Sequence, residues 1–135
     1  MENLGGVNNL TSYFVDEEKL LSVAREIIKK EEGKGEVVFA LLGKEAIRGL
    51  NRDYRKKDYA TDVLSFLYNE DGLLGEIILC PQKIKEDARK EEFEKAFFRV
   101  AIHGILHLLG YDHERGKEEE KEMKKKTDYY LSLLN

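Results

Sequence analysis

All three histidines of the chain fall within eleven residues, from His103 to His113. His103 and His107 are four residues apart, so a helix would carry both imidazoles on one face. Gly110 can adopt the left-handed conformation that ends a helix, and the chain can then bring His113 back toward the same point. Three protein ligands that leave a fourth position open are typical of a catalytic zinc site, because structural zinc sites are closed by four.

A metal ion held by three imidazoles does hydrolytic chemistry. It lowers the pKa of the water it binds from about 15.7 toward about 7, so no strong protein base is needed at neutral pH. The spacing also matches the metzincin protease pattern H-E-x-x-H-x-x-G-x-x-H. In that pattern a Glu is the general base, and here Gly104 stands in its place. The sequence therefore predicts a metal-dependent hydrolase that lacks the peptidase base.

The helix that carries the first two histidines is predicted to be buried. Residues 100–109 are apolar except at His103, Gly104 and His107, and a helix that is apolar on nearly all sides lies in a core. Two buried imidazoles need partners, because an unpaired buried polar group costs about 1–3 kcal/mol. A metal ion would satisfy both, whereas the alternative is a pair of core histidines bonded to backbone carbonyls. Gly104 would leave room for a substrate or for close helix packing.

The composition describes a small acidic protein of 135 residues with a net charge of −4. We expect one domain over residues 1–135, because this length suffices for one hydrophobic core. The charge excludes a protein-wide basic surface for nucleic acid, but not a local patch. Cys80 is the single cysteine, which excludes an internal disulfide and suits a reducing cytoplasm. With no apolar run near ~20 residues and no signal-peptide pattern, we expect a cytoplasmic protein without a membrane partner.

Hydrophobic periodicity predicts helices and strands in alternation before the histidine motif. A short strand is expected near residues 4–10, followed by a helix over 16–32 with Asp16 as its cap. Residues 37–42 form a continuous apolar run, which predicts a strand buried on both faces. A short helix is expected over 44–54.

The second half of the chain predicts a hairpin and further helices. Residues 61–67 and 73–80 read as antiparallel strands joined by a turn. Pro81 marks the start of a helix that covers 83–90 and could run on into the central one. The charged segment 114–126 predicts a solvated helix.

Residues 52–57, Arg-Asp-Tyr-Arg-Lys-Lys, form the one dense basic patch before the histidine motif. The patch is either a solvated helix end, where cations also favour the helix dipole, or a surface that holds a phosphate backbone near the metal. For the second role an arginine is the better candidate, because its planar fork binds phosphate in a bidentate way and never loses its charge.

On these residues the chain resembles the YbeY family, which comprises bacterial endoribonucleases and ribosomal-RNA maturation factors. Residues 103–113 match the family signature H-G-x-L-H-L-x-G-Y-D-H at every fixed position. The upstream patterns L-N-x-x-Y-R, T-D-V-L-S-F and L-G-D-I correspond to residues 50–55, 61–66 and 74–77. The resemblance spans nearly the whole chain and is weakest before residue 35.

Two positions depart from these family patterns. Ala60 stands where a Pro usually precedes Thr-Asp, which should loosen that loop slightly. Glu76 replaces the usual Asp, and its longer side chain argues against a tight contact behind a ligand histidine. We expect Glu76 to point to solvent.

The resemblance implies a zincin-like, single-domain α+β fold, with a small mixed β-sheet packed against helices that include a central metal-binding helix. It implies one metal ion, usually zinc, held by His103, His107 and His113, and a functional role for Arg55. It also implies cleavage of single-stranded RNA, maturation of the 3′ end of small-subunit (16S) ribosomal RNA and ribosome quality control. The implied partner is the ribosome or its small subunit.

The catalytic roles follow as expectations. The metal and Arg55 would stabilise charge on the non-bridging phosphate oxygens. The group that protonates the leaving oxygen is open among Asp112, Asp62 and Glu114, and the 2′-hydroxyl of RNA is an alternative nucleophile. Three other functions remain: a metzincin-like peptidase, a ribosome-associated binding factor with a structural metal, and a metallohydrolase of small phosphoesters.

Overall fold

A four-stranded mixed sheet forms the framework of the fold. The computed structural model describes residues 5–112 and 115–134. In that part of the chain the strands lie in the order β1-β2-β4-β3. They are β1 (Gly6–Asn9), β2 (Glu36–Leu41), β3 (Val63–Glu70) and β4 (Leu73–Leu79). β2 pairs in parallel with both β1 and β4, whereas β3 and β4 form the predicted antiparallel hairpin.

Five α-helices lie in the described residues and cover both faces of the sheet. They are α1 (Glu17–Lys30), α2 (Lys44–Arg55), α3 (Pro81–Ala88), α4 (Phe93–Leu108) and α5 (Lys117–Ser132). The central helix α4 contacts α1, α3, α5, β3 and β4. The predicted mixed α+β class is confirmed, while the zincin-like relationship and the metal-binding role of α4 stay predictions. No helix in the described residues is long and apolar enough to cross a membrane.

The two faces of the sheet are unequally buried, so the prediction of a strand buried on both faces is wrong. In β2, Val37, Phe39 and Leu41 are buried, whereas Val38 and Ala40 are only half-buried. The first face packs in the main core with α1 and α4. The second face is covered more thinly, since its core cluster is built around Ile47 of α2, Leu64, Ile78 and Cys80.

Two helix boundaries were predicted from the sequence, and the structure confirms the one at the start of α1 but not the continuation of α3 into α4. Asp16 caps α1 as predicted, because its Oδ1 accepts a hydrogen bond from the Lys19 amide at 3.1 Å. The predicted continuation of the Pro81 helix into the central helix is wrong. Arg89 has a left-handed φ of 56°, which interrupts the helical conformation between α3 and α4. Glu91, in that break, forms an ion pair with Arg99 of α4 at 2.7 Å.

Two glycines allow α4 to lie close to the sheet. A Cβ at Gly104 would stand 3.2 Å from Ile77 Cγ2 and 3.3 Å from both Ser65 Oγ and Val63 Cγ2. A Cβ at Gly75 of β4 would stand 2.4 Å from the backbone oxygen of Phe66. Of the two roles predicted for Gly104, the structure therefore assigns close helix packing.

We expect Gly75→Ala to lower the free energy of unfolding by about 1–3 kcal/mol, the usual range for overpacking. The added methyl group would overlap a backbone oxygen of the neighbouring strand and also Leu108 Cδ2 of α4, at 2.9 Å. Urea unfolding measures the change. Gly6→Ala is the matched control, because nothing lies within 4 Å of a Cβ at that strand position. Equal stability of the two variants would contradict this packing.

Candidate active site

The C-terminal half of α4 forms one wall of a cleft of about 870 Å³. His103 and His107 both line it, as expected for two imidazoles on one helix face. A second part of the lining comes from the end of α2 and from the loop and strand that follow, within residues 54–66. The α5 wall contributes Glu120, Met123, Lys124, Thr127 and Asp128.

The two imidazoles differ in burial, so the prediction that both are buried is wrong. His103 is half-buried and His107 is exposed. The surrounding helix is otherwise as apolar and buried as predicted, with Ile102, Ile105 and Leu106 inaccessible to solvent. The argument from an unpaired buried polar group therefore does not apply to His107.

The ring of His107 is oriented by the chain that follows it. Its Nδ1 lies 2.9 Å from the carbonyl oxygen of Tyr111. A carbonyl oxygen can only accept, so Nδ1 donates to it, and in the neutral ring Nε2 is then the nitrogen with the lone pair. A carbonyl partner on one ring nitrogen is the usual arrangement behind a metal-bound histidine.

Gly110 ends α4 in the way its position predicts. Its φ is +104°, its amide donates to the carbonyl of His107 at 3.1 Å, and the Tyr111 amide donates to the carbonyl of Leu106 at 3.1 Å. These two bonds are the 5→2 and 6→1 pair of a left-handed helix end. The reversal places the carbonyl of Tyr111 beside the His107 ring.

The third predicted ligand, His113, and the predicted acid Glu114 lie outside the described residues. Within residues 5–112 and 115–134, no group of three or more His, Cys, Asp or Glu side chains could hold a metal ion. The donors that the structure does describe fit such an ion, since imidazole is a zinc ligand and the Nε2 of His107 keeps a lone pair. The three-histidine ligand set stays a prediction.

A buried carboxylate that sequence reasoning missed anchors the residue behind His107. Glu31, directly after α1, accepts hydrogen bonds from the Tyr111 hydroxyl at 2.6 Å, from the Tyr130 hydroxyl, and from Lys126 Nζ at 3.1 Å. Its side chain is only 9% exposed. The partners are 80 to 99 residues away in sequence, so no local pattern could have revealed them. Glu31 thereby ties α1, the Gly110 turn and α5 together.

We expect Glu31→Gln to lower the free energy of unfolding by about 1–3 kcal/mol at neutral pH, because hydrogen bonds to an ionised group are lost. Burial raises the pKa of Glu31, but the bonds from Tyr111, Tyr130 and Lys126 together bring that pKa below its usual 4.5. A lowered pKa stabilises the folded protein above the unfolded pKa. The stability difference between wild type and variant should therefore shrink as the pH falls below about 4.5.

Unfolding titrations at several pH values test this expectation. Glu94→Gln serves as the control, because Glu94 forms one exposed ion pair with Lys19 and such pairs contribute about 0–1 kcal/mol. A Glu31→Gln difference that is no larger than the control, or that does not change with pH, would contradict the anchoring role.

Arg55 and Lys57 bring positive charge to the cleft. Both residues are exposed and line it. In the part of the chain that the structure describes, neither side chain makes a hydrogen bond or ion pair, whereas nearby Arg48 pairs with Asp58 and Arg52 with Asp53. Unpaired cations that line the same cleft as two imidazoles suit an anionic ligand.

Asn51 explains how this charged segment is held. Its side chain is 1% exposed, and its Nδ2 donates to the carbonyl oxygen of Tyr59 at 2.9 Å. The backbone oxygen of Asn51 accepts from the Lys57 amide at 3.3 Å. Lys56 takes a left-handed φ of 61° to end α2. The loop that follows α2 is thus fastened to the helix on which Arg55 lies.

Carboxylates at the cleft include two of the acids named from the sequence. Asp62 and Asp112 both line it. Burial raises the pKa of Asp62, and Asp112 lies 3.5 Å from the guanidinium of Arg115. Glu76 lies elsewhere, because it is on the sheet face opposite Ile77 and accepts a hydrogen bond from the Tyr68 hydroxyl at 2.9 Å. Glu76 is half-buried and does not line the cleft that holds His103 and His107, whereas its relation to the predicted ligand His113 lies outside the described residues.

Similarity to known proteins identifies the family of the chain. The family described as "Endoribonuclease YbeY" matches residues 7–135. A protein named Endoribonuclease YbeY from Thermotoga petrophila is 44% identical over 108 residues, which are 78% of this chain and 72% of that protein. Its namesake from Chlorobium phaeobacteroides is 42% identical over 130 residues, 93% and 94% of the two chains.

The fold has a relative of known structure as well. The solution structure of a Thermotoga maritima protein is similar with a TM-score of 0.66 at 38% sequence identity. The match covers 95% of this chain and 87% of the other. At this identity and coverage, sequence and structure agree, and the chain belongs to the YbeY family.

Proposed function

We propose that the protein is an endoribonuclease that cleaves single-stranded RNA in the cleft between α2 and α4. One observation carries the proposal: an unpaired guanidinium, Arg55, lines the same cleft as His103 and His107. Hydrolysis of a phosphodiester needs cationic groups at the non-bridging oxygens and a means to activate a nucleophile. The names of the family and of its relatives describe the same activity.

The described imidazoles fit a metal ion, and we propose His103, His107 and His113 as its ligands, with zinc as the metal. A zinc ion bound there would supply a Lewis acid and a nucleophile at neutral pH. The chain itself fixes the His107 ring through the carbonyl of Tyr111, so that Nε2 is the nitrogen left for coordination.

Two further side chains act on the phosphate. Arg55 binds its non-bridging oxygens through the planar fork of the guanidinium, which suits two oxygens at once. Asp62 is the better of the two described acids for donating a proton to the leaving oxygen. Burial raises its pKa, whereas the Asp112 carboxylate faces the cation of Arg115.

The natural substrate in this proposal is ribosomal RNA, at the 3′ end of the small-subunit species, with the ribosome or its small subunit as the partner and the cytoplasm as the location. The net charge of −4 means that phosphate is attracted by a local patch and not by the whole surface. That patch is the end of α2, where Arg55 and Lys57 are unpaired within the described residues.

Peptidase activity finds no support in the geometry at Gly104. The Cβ of a glutamate at position 104 would lie within 3.3 Å of side-chain atoms of Ile77, Ser65 and Val63. In this fold position 104 faces the sheet, so a carboxylate there would be forced against β3 and β4. The missing base of the metzincin pattern therefore agrees with how α4 packs.

Cleavage of an end-labelled single-stranded RNA by the purified protein tests the proposal, with a duplex of the same sequence and casein as parallel substrates. We expect internal cuts in the single strand, slower cutting of the duplex and no loss of casein. Rapid hydrolysis of a small phosphodiester with no action on RNA would instead favour a general phosphoesterase. Binding of the RNA without cleavage would favour a ribosome-associated factor.

A further inference from the structure

Tyr54 is a large, solvent-exposed aromatic side chain that lines the cleft. It is 68% exposed and immediately precedes Arg55. Of the exposed large hydrophobic side chains in the described residues, Tyr54 alone lines the cleft that holds His103 and His107. The proposed chemistry gives this ring no role.

The ring is held in place by the sheet. Tyr54 and Phe66 of β3 meet edge to face, with centroids 5.4 Å apart and an interplanar angle of 71°. Such pairs are a preferred aromatic geometry, so the Tyr54 ring is oriented before any ligand arrives. Because two thirds of its surface stays accessible, the contact with Phe66 leaves room for a second flat partner.

The charges around Tyr54 indicate what that partner is. Arg55 and Lys57 line the same cleft and form no ion pair within the described residues. Proteins that bind single-stranded nucleic acid combine cations along the backbone with aromatic rings on which bases stack. Phe14 provides a contrast: it is 88% exposed, but among the described residues its groove is lined by Asp16, Glu17 and Glu18 and by no Lys or Arg, whereas the Tyr54 cleft carries cations as well as carboxylates.

We propose that Tyr54 is a stacking subsite for one unpaired base of single-stranded RNA, beside the phosphate that Arg55 holds. The inference rests on the proposed function and adds a reason for its strand preference. A base within a duplex has both faces covered by its neighbours, so it cannot stack on the ring without being extruded. The subsite therefore recognises the unpaired state of the strand and not its sequence.

Binding of a 2′-O-methyl RNA oligonucleotide, measured by fluorescence anisotropy, separates recognition from cleavage. We expect Tyr54→Ala to bind about tenfold more weakly, within the range found for one base stacked on an aromatic ring. Tyr54→Trp should bind within about twofold of wild type, because it keeps a stacking surface. Phe14→Ala is the matched exposed-ring control and should bind like wild type. Thermal unfolding of each variant verifies that the fold is kept.

A strand carrying a single abasic nucleotide, moved through the sequence, tests the contact itself. At one position the missing base should weaken wild-type binding about tenfold but leave Tyr54→Ala unchanged, since the two deletions remove the same interaction. Kinetics on cleavable RNA should show a raised KM for Tyr54→Ala with kcat nearly unchanged.

The outcomes distinguish this inference from the function beneath it. If wild type cuts single-stranded RNA but Tyr54→Ala binds and cuts within twofold of it, the stacking subsite is wrong and the endoribonuclease proposal stands. If abasic strands weaken both proteins equally, the base contacts another residue and the assignment to Tyr54 is wrong. If wild type neither binds nor cuts single-stranded RNA, both proposals fail.

Discussion

We expect His107→Ala to lose both its bound metal and its cleavage of RNA, with the rate falling by more than about 100-fold. Removing only the hydrogen-bonding partner of a metal ligand lowers metal affinity or activity by up to about 100-fold. Removing the ligand itself should lower the cleavage rate further. His107 is exposed, and its ring nitrogen contacts only the backbone of Tyr111 among the described residues. The free energy of unfolding of the metal-free variant should therefore lie within about 0.5 kcal/mol of that of metal-free wild type.

Metal content, cleavage rate and unfolding are measured on the same preparations. Phe14→Ala is the control for loss of metal or activity during purification. Phe14 is an exposed ring on the loop between β1 and α1, so this variant should retain both metal and activity. A His107→Ala protein that keeps its metal and cuts RNA at the wild-type rate would contradict the ligand assignment. One that unfolds on loss of the metal would favour a structural role for the ion.

The second large effect is expected at Arg55. Arg55→Ala should keep its metal and its stability but cleave about 100- to 1,000-fold more slowly, the usual consequence of removing one group that stabilises transition-state charge. The side chain is exposed and makes no ion pair within the described residues, so its removal disturbs little of the fold. Arg55→Lys should recover part of the rate, because a point charge replaces a bidentate fork.

Arg89→Ala is the matched control for charge. Arg89 is likewise exposed, in the break between α3 and α4, and it does not line the cleft. Its removal lowers the net charge by the same amount and should leave single-turnover cleavage unchanged. Equal losses in the two variants would mean that overall charge, and not a contact with the reacting phosphate, accounts for the effect.

Local patterns predicted the elements that carry the site. The Asp16 cap, the nearly all-round apolar character of α4 and the glycine at its end each depend on residues close together in sequence, and the structure confirms them. The antiparallel pairing of β3 with β4 was also predictable, because the turn between them is short.

Other features depend on contacts that the local sequence does not encode. The parallel pairing of β2 with β1 depends on the crossover through α1, and its pairing with β4 depends on the longer connection through α2 and β3. The interruption between α3 and α4 at Arg89 could not be predicted locally, because no glycine or proline occurs there. The exposure of His107 and its anchoring through Tyr111 to Glu31 arise from the docking of α1 and α5 around the end of α4.

The proposed function requires one metal ion at the histidines for cleavage of single-stranded RNA, and a zinc titration of chelator-treated protein tests this requirement most directly. Cleavage of labelled RNA and bound zinc are followed together as zinc is added back. We expect no cutting without metal, and recovery that levels off at about one zinc per chain. Full cutting by protein shown to be free of metal would contradict it.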